Sequence, residues 1–578
     1  MCEVDRRSVE PLTGAKLSAS RRENRAAVFL TAVYAISLAV FSLGRGADNN
    51  FDLINVKWYA GWTTLRGDFE LRGLATSRQT YPPFNDAWQS LLAGVGAWWL
   101  PVLVWTLIHA SSFPIALALS KRIAPNIPSL IRVALSALTV ATPLALMQLG
   151  TSFGHLAAAP GIGLSLLLML TANDLRGWAL AGAALSIMPL MKASALATVP
   201  ALLLGASILA PTLRAALGYL VGFFGAYLGV AVGWATYVTL RTDSSIVSTP
   251  GVPLSGSPLI LATLVSIGIA LAVWLRSEEI GVGRSFLKLG AWAEPASLVG
   301  LRVVLFVVAI VRGRSLQLQV VDARFPVLTW ERFFDRLNHT GALIDGYRPL
   351  DLEVEYFDTS IPVASVLLLA VICLFGLNAL RPSTRYAATR LLGAGIFLLG
   401  PVFYAIWTTG YTRYAVQSVV WVPIGALALV AAMRPIRWMS ILSACVLTVA
   451  LALPLLPGVA SAVPIARFAQ PDHDRERLQP DEAEMLSSLL PEGSTIYSFG
   501  EEISFAGAVL NRSDLTWEFK EPAGDTLEQL EQPLMTVYNP EDAELLEELR
   551  LNGLDYRDCV QLRFTASAFG VCRVYVPE

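Results

Sequence analysis

Residues 27–44, AVFLTAVYAISLAVFSLG, contain no charged side chain, follow Arg21, Arg22 and Arg25, and precede Asp48 and Asp52. A helix needs about 20 mostly apolar residues to cross the hydrocarbon core of a bilayer. The run has the right length, and it carries no small-residue cleavage site, so it reads as a retained anchor. The wider sequence supports a membrane protein. Of the 578 residues, 54% are hydrophobic and 15% are charged, and the mean hydropathy is +0.55. Soluble domains carry roughly 25% charged residues.

Working outward, apolar runs recur at 98–120, 129–149, 156–172, 178–191, 194–209, 215–239, 258–275, 298–311, 361–380, 391–407, 415–432 and 439–456. The expected fold is therefore a polytopic α-helical membrane protein with about 13 transmembrane helices. The runs at 178–191, 194–209 and 298–311 are short, and Arg302 interrupts the last.

Lys and Arg in short connections mark the cytoplasmic side. Arg6, Arg7, Lys16, Arg21, Arg22 and Arg25 place the leader, 1–26, there. Alternation then puts Lys121/Arg122, Arg276/Arg284/Lys288, Arg381/Arg385/Arg390 and Arg434/Arg437 on that same side. The opposite face receives the loops 46–88 and 312–359, the turns near His155, Lys192 and 408–413, and everything beyond 462. The expected location is the plasma (inner) membrane, with a cytoplasmic N-terminus.

The net charge of −2 conceals an asymmetry. Residues 463–578 hold 23 acidic and 9 basic residues, against 22 and 34 in the rest. Basic residues scattered between apolar runs exclude a nucleic-acid binder. The acidic tail reads as a soluble α/β domain on the extracytoplasmic face, with helix patterns at 480–490 and 540–551. Strands are expected at 494–499 and 534–538, with a terminal hairpin from 559–564 and 570–576. Cys559 and Cys572 would face each other across that hairpin, either as a disulfide, which an oxidising compartment favours, or as two free thiols. None of the five cysteines shows metal-ligand spacing.

The first outer loop is the richest segment. It runs FDLINVKWYAGWTTLRG over 51–67 and reaches QTYPPFND at 79–86. Trp58, Trp62 and Leu65 have helical spacing, which suits an interfacial helix. Asp52 reads either as the N-cap of that helix or as a chemical group. Lys192 in MPLMKAS, residues 188–194, and Arg413-Tyr414 in WTTGYTRY, residues 407–414, sit where apolar runs meet polar turns. Each cation reads as a phosphate ligand or as a side chain snorkelling to headgroups. His155 reads as a hydrogen-bonded interfacial residue or as a sugar contact.

These three segments, in this order and on one membrane face, resemble the GT-C fold polyprenyl-phosphate-sugar-dependent glycosyltransferases, and most closely the bacterial family 87 mannosyltransferases. The resemblance spans 27–432 in patches and leaves out the tail. It implies a sugar moved from a polyprenyl-phosphate donor to a cell-envelope glycan, lipid or protein acceptor on the extracytoplasmic face, with inversion. It implies Asp52 as the catalytic base and Lys192, Arg413 and Tyr414 on the donor phosphate. Trp58, Tyr59, Tyr81 and His155 would line the groove. No cofactor is required; a divalent metal is possible but is not supported by a clear Asp-x-Asp motif. Asp335, Asp345 and Asp358 in 312–359 are the alternative carboxylates.

The chemistry fits these residue types. A carboxylate can take the acceptor hydroxyl's proton. The leaving phosphate is a weak base, so cations can stabilise its charge in place of a general acid. Two other function classes stay open: a transporter or flippase of a lipid-linked sugar, and a non-catalytic envelope-assembly subunit. A transporter would place its charges near the bilayer midplane and show internal repeats. Here the charges gather at one boundary.

Overall fold

The computed structural model describes residues 14–45, 61, 64–65, 84–94, 99–192, 195, 198–241, 360–379, 385–409, 415–432, 441, 448, 488 and 492–493, with strands at 495–499, 516–520, 534–538, 555–562 and 569–575. Among these residues, three helical stretches are long and apolar enough to cross a membrane: Arg25–Gly44, Trp99–Ile123 and Arg214–Ala231. Shorter apolar helices pack around them. The expected runs 258–275 and 298–311, and nearly all of 439–456, lie outside the described residues.

The first helix, α1 (Gly14–Gly44), starts inside the expected leader. Ala, Lys, Leu, Arg and Glu favour helix, so nothing at residue 26 stops it. Val28, Phe29 and Val40 on α1 are about two-thirds exposed. Apolar side chains displayed on this scale call for a surrounding as apolar as themselves. α2 (Phe84–Gly94) follows, then α3 (Trp99–Ala110) and α4 (Ser112–Ile123). Tyr34 of α1 stacks on Phe113 of α4 with ring centroids 4.4 Å apart and donates to the Ala137 carbonyl.

The run 129–149 was expected to be one span and is instead two short helices, α5 (Ser129–Ala137) and α6 (Pro143–Gln148). The break has a local cause. Pro143 has no N–H to continue a helix but suits the first turn of a new one. Thr142 caps that turn, its Oγ1 accepting from Ala145 N at 3.3 Å.

α7 (His155–Thr171) and α8 (Leu175–Met191) form an antiparallel hairpin. Asp174 Oδ1 accepts from Gly177 N at 2.8 Å and fixes the start of α8. α9 (Val199–Leu209) leads to α10 (Leu213–Arg241). α8 and α10 approach so closely that a Cβ on Gly182 or Gly222 would overlap the opposite backbone. With no water to expel between them, membrane helices gain most of their attraction from such contacts. α11 (Ser360–Ala379), α12 (Arg385–Thr409), α13 (Val416–Val419) and α14 (Val422–Ala432) complete the helical part. Gly205 of α9 lies against the backbone of Phe397 on α12.

The tail contains a five-stranded mixed sheet in the order β2-β1-β3-β5-β4. Its strands are β1 (Thr495–Phe499), β2 (Thr516–Lys520), β3 (Leu534–Tyr538), β4 (Asp555–Leu562) and β5 (Phe569–Tyr575). β1 pairs in parallel with β2 and β3, whereas β5 pairs antiparallel with β3 and β4. β1 and β3 coincide with strands expected from the sequence, and β4–β5 with the terminal hairpin. β2 was not anticipated. The expected helices at 480–490 and 540–551 fall outside the described residues apart from Ser488.

Candidate functional site

The turn at 149–154 is the centre of one end of the bundle. Two of its glycines have left-handed backbones, Gly150 at φ 77° and Gly154 at φ 79°. Both are also short of space. A Cβ on Gly150 would meet Ser42 Oγ, and one on Gly154 would lie 2.7 Å from Asn85 Nδ2 and 3.4 Å from the Met191 carbonyl oxygen. Glycine is therefore required twice over, by conformation and by contact.

Four elements hold this turn. Arg45, just past α1, donates from Nη1 to the Leu146 carbonyl at 2.7 Å and from Nη2 to the Met147 carbonyl at 3.1 Å. The guanidinium thereby adds a charged donor to the last carbonyls of α6, of which that of Leu146 also accepts from Leu149 N at 3.3 Å. From α3, His109 accepts from Gly150 N through Nδ1 at 3.3 Å. That bond assigns the proton of the neutral imidazole to Nε2. From α2, Asn85 Nδ2 donates to the Ser152 carbonyl at 2.8 Å. One turn further along α2, Gln89 Oε1 accepts from Trp105 Nε1 at 2.7 Å and ties α2 to α3.

The fourth element is α13 with the start of α14. Trp421, fully buried between them, donates from Nε1 to the Ala159 carbonyl at 3.0 Å. Its ring occupies the space a Cβ on Gly163 would need. α13 packs against both α6 and α7. One turn towards the start of each element from this bond stand Gln417 and His155.

Lys192 is the C-cap of α8, its N–H donating to the Met188 carbonyl at 3.1 Å. It is half-buried in extended backbone. The neighbouring Met191 carbonyl is the group that faces Gly154. His155 opens α7 and is 1% exposed. Lys192 and His155 thus stand at the same end of the α7–α8 hairpin. The third segment expected there, around Arg413 and Tyr414, runs directly into Ala415, which is fully buried, and α13.

Asp52, Trp58, Tyr59, Tyr81, Arg413 and Tyr414 lie outside the described residues, as do Asp335, Asp345 and Asp358. For Cys559 and Cys572 the backbone is described. β4 and β5 pair Arg557 with Arg573 and Val560 with Val571, and a β-bulge lies between. Asp558 and Cys559 therefore share the position opposite Cys572. Among the described residues, no group of three or more His, Cys, Asp or Glu could hold a metal ion.

The sequence reading did not single out several polar residues of this end: Arg45, Asn85, Gln89, His109, Gln148, Gln417 and Ser418. One signal was available for some of them. Gln417 and Ser418 interrupt the apolar run 415–432, and Gln148 and His109 sit within the runs 129–149 and 98–120. An uncharged polar residue inside a membrane run needs a partner there.

No protein-family model matches this chain, and no curated protein matches it. The family 87 resemblance accordingly rests on the three quoted segments. Solved structures do align. One is the archaeal oligosaccharyltransferase AglB from Archaeoglobus fulgidus in complex with an inhibitory peptide and a dolichol-phosphate, with TM-score 0.47 and 15% identity over 86% of this chain and 65% of that one. The apo form of the Archaeoglobus fulgidus oligosaccharyltransferase gives TM-score 0.45 and 13% identity over 85% of this chain. The present chain covers 64% of that structure, less than two thirds of its length. ArnT from Cupriavidus metallidurans bound to undecaprenyl phosphate aligns with TM-score 0.41 and 15% identity, over 94% of this chain and 97% of that one.

Proposed function

We propose that this chain is an inverting, membrane-embedded glycosyltransferase. It takes a sugar from a polyprenyl-phosphate donor on the extracytoplasmic face of the plasma membrane and passes it to a cell-envelope glycan, lipid or protein. What supports this reading is that the end of α8 meets the start of α7 and that Trp421 ties the α13–α14 junction to α7. Met191, next to Lys192, faces Gly154, next to His155, and Trp421 binds the helix that His155 opens. The segment carrying Arg413 leads directly into that last element.

In this reading Asp52 is the base. It accepts the proton of the acceptor hydroxyl as that oxygen attacks the anomeric carbon. The bond from the anomeric carbon to the phosphate oxygen breaks, and the electron pair leaves with the lipid phosphate. Arg413 meets that phosphate with a planar fork, Lys192 with a point charge, and Tyr414 adds a hydroxyl. Trp58, Tyr59, Tyr81 and His155 line the path of the substrates. The acidic tail covers the same face and contributes to acceptor binding. This chemistry requires no metal and is compatible with a divalent one.

Asp52→Asn tests this reading. Loss of a general base typically costs 10²–10⁴-fold in rate. The variant should lose transfer by that factor while retaining binding of undecaprenyl phosphate in nanodiscs. A flippase would continue to move lipid in the same variant, and a scaffold would have no transfer to lose. Full transfer by Asp52→Asn would rule out Asp52 as the base.

A further inference from the structure

The end of the bundle opposite the 149–154 turn is cationic. α8 starts there, since Met191 at its other end faces Gly154. α10 starts beside it, because Gly218 lies against Leu175 and Gly222 against Ala179. Among the described side chains, this end presents Arg25, Lys121, Arg122, Arg176 and Arg214 to the surface, with Asp174 as the acid. Asp174 already accepts from Gly177 N.

Three of these cations belong together. α1 and the stretch Trp99–Ile123 run antiparallel: Tyr34 stacks on Phe113, and Ser42 lies with Thr106 and Val102 around Gly150. Continuing that register along both helices brings Arg25 level with Lys121 and Arg122. All three are exposed.

Helical period sorts α1 into two sides. Tyr34, Leu38 and Phe41 pack against the core. Phe29, Ile36 and Val40 face away from it and are 62–67% exposed. Position 25 is four residues before Phe29 and position 22 is seven before it, so both fall on the outward side. Position 21 is one turn before 25. Glu23, the one acid between residues 14 and 45, falls three turns before Tyr34 and thus on the inward side. One face of α1 therefore passes from cations to a bare apolar strip.

Length places the cations in depth. The span Arg25–Gly44 has 20 residues, about 30 Å of helix, which matches the hydrocarbon core. Position 21 is about 6 Å further out, within a headgroup layer of about 5–7 Å. The cations thus lie at the depth of lipid phosphates, and the apolar strip at the depth of acyl chains. A soluble anion would meet the charges and leave the strip bare. A phospholipid of net negative charge meets both.

We infer that the outward face of α1, with the end of α4, is a binding site for an anionic phospholipid. Its headgroup lies on Arg22, Arg25, Lys121 and Arg122, and an acyl chain runs along Phe29, Ile36 and Val40. The site is at the far end of the bundle from Lys192, so it stands apart from the proposed reaction. Basic residues also orient a span and favour the end of a helix, but neither role distinguishes lipids by headgroup.

Native mass spectrometry of the detergent-purified full chain tests this. It is titrated with dioleoylphosphatidylglycerol and, separately, with dioleoylphosphatidylcholine. The anionic lipid should bind at least about tenfold more tightly. Arg22→Gln/Arg25→Gln and Lys121→Gln/Arg122→Gln should each weaken it about thirtyfold, at about 1 kcal/mol for each charge removed, and leave phosphatidylcholine unchanged. Arg176→Gln, at the same end but on α8, should change neither. Excess inorganic phosphate at constant ionic strength should not displace the lipid. If the α1 variant inserts poorly, the Lys121/Arg122 pair carries the test alone.

The remaining outcomes overturn the inference. Equal binding of both lipids, or a preference that survives the charge removals, means that the cations serve orientation and helix ends only. An equal loss in Arg176→Gln means that the whole basic end acts, with no site on α1. Displacement by inorganic phosphate means an anion site without a lipid. A dimer mass without bound phosphatidylglycerol means that a second copy covers this face.

Discussion

The indole Nε1 of Trp421 donates to the Ala159 carbonyl at 3.0 Å, joining residues 262 positions apart. The bond fixes α13, the element after Arg413 and Tyr414, to the helix opened by His155. The same ring fills the notch at Gly163. Gly163→Ala should therefore destabilise the bundle by about 1–3 kcal/mol, the usual cost of overpacking a close contact. Trp421→Leu alone should cost about 3 kcal/mol or more through lost packing and an unpaired Ala159 carbonyl. The double variant should be less unstable than the sum of the two, because the smaller leucine frees the space the alanine needs. Thermal unfolding in a mild detergent reads all three. Strict additivity would show that the ring and the notch are not in contact.

The left-handed turn at Gly154 allows a second prediction. An alanine there is strained by about 1–2 kcal/mol at φ near 79°. Its methyl also presses on Asn85 Nδ2, the donor that holds Ser152. Gly154→Ala should lower thermal stability and weaken binding of undecaprenyl phosphate. A Gly154→Ala protein with wild-type stability would mean that the turn can relax without cost.

The membrane runs were legible in the sequence because chain length and polarity alone decide them. The runs at 156–172, 178–191 and 361–380 match α7, α8 and α11 within a few residues. The break inside 129–149 was not read, although Pro143 and its cap Thr142 are local signals that outweigh hydropathy. The charged site candidates stood out because an ion at a membrane boundary is costly unless it has a purpose. The neutral ones did not. Gln417 interrupts the apolar run 415–432, but only its buried, unpaired amide sets it apart from a tolerated glutamine. β2 was missed although Thr516–Lys520 alternates polar and apolar residues at period 2, the signal of a half-buried strand; its parallel pairing with β1 is a tertiary fact.

The bulge opposite Cys572 bears on the tail's environment. Cys559 shares with Asp558 the irregular step of β4 opposite Cys572. On an oxidising face the pair should be found as a disulfide, and the chain has five cysteines in all. Alkylation of the denatured, unreduced protein followed by mass spectrometry should then modify three cysteines, and prior reduction should raise this to five. Reduction should also destabilise the sheet, since closing a short loop typically contributes about 2–4 kcal/mol. Five modified cysteines without reduction would place two free thiols there and remove one support for the tail's expected side.

Arg45 anchors the end of α6 and so the turn that follows it. Its two bonds to the Leu146 and Met147 carbonyls are charge-assisted, the kind worth about 1.5–3 kcal/mol. Arg45→Met retains most of the stem and removes both bonds, so it should lower the unfolding temperature. Arg45→Lys can serve only one carbonyl well at a time and should recover part of the loss.

The two cations of the proposed phosphate site should respond differently to exchange. In that proposal Arg413 acts through a planar fork on two phosphate oxygens, which a lysine cannot reproduce. Lys192 acts as a point charge at the end of α8, and an arginine supplies the same charge. Arg413→Lys should therefore weaken binding of undecaprenyl phosphate by about tenfold, and Lys192→Arg by much less. Removing either charge, as in Arg413→Gln or Lys192→Met, should weaken it further. Those losses should shrink at high salt, where screening already reduces the attraction. Titrations in nanodiscs of zwitterionic lipid separate this from simple headgroup contact. A snorkelling arginine would tolerate lysine without penalty, because either side chain reaches the interface equally well.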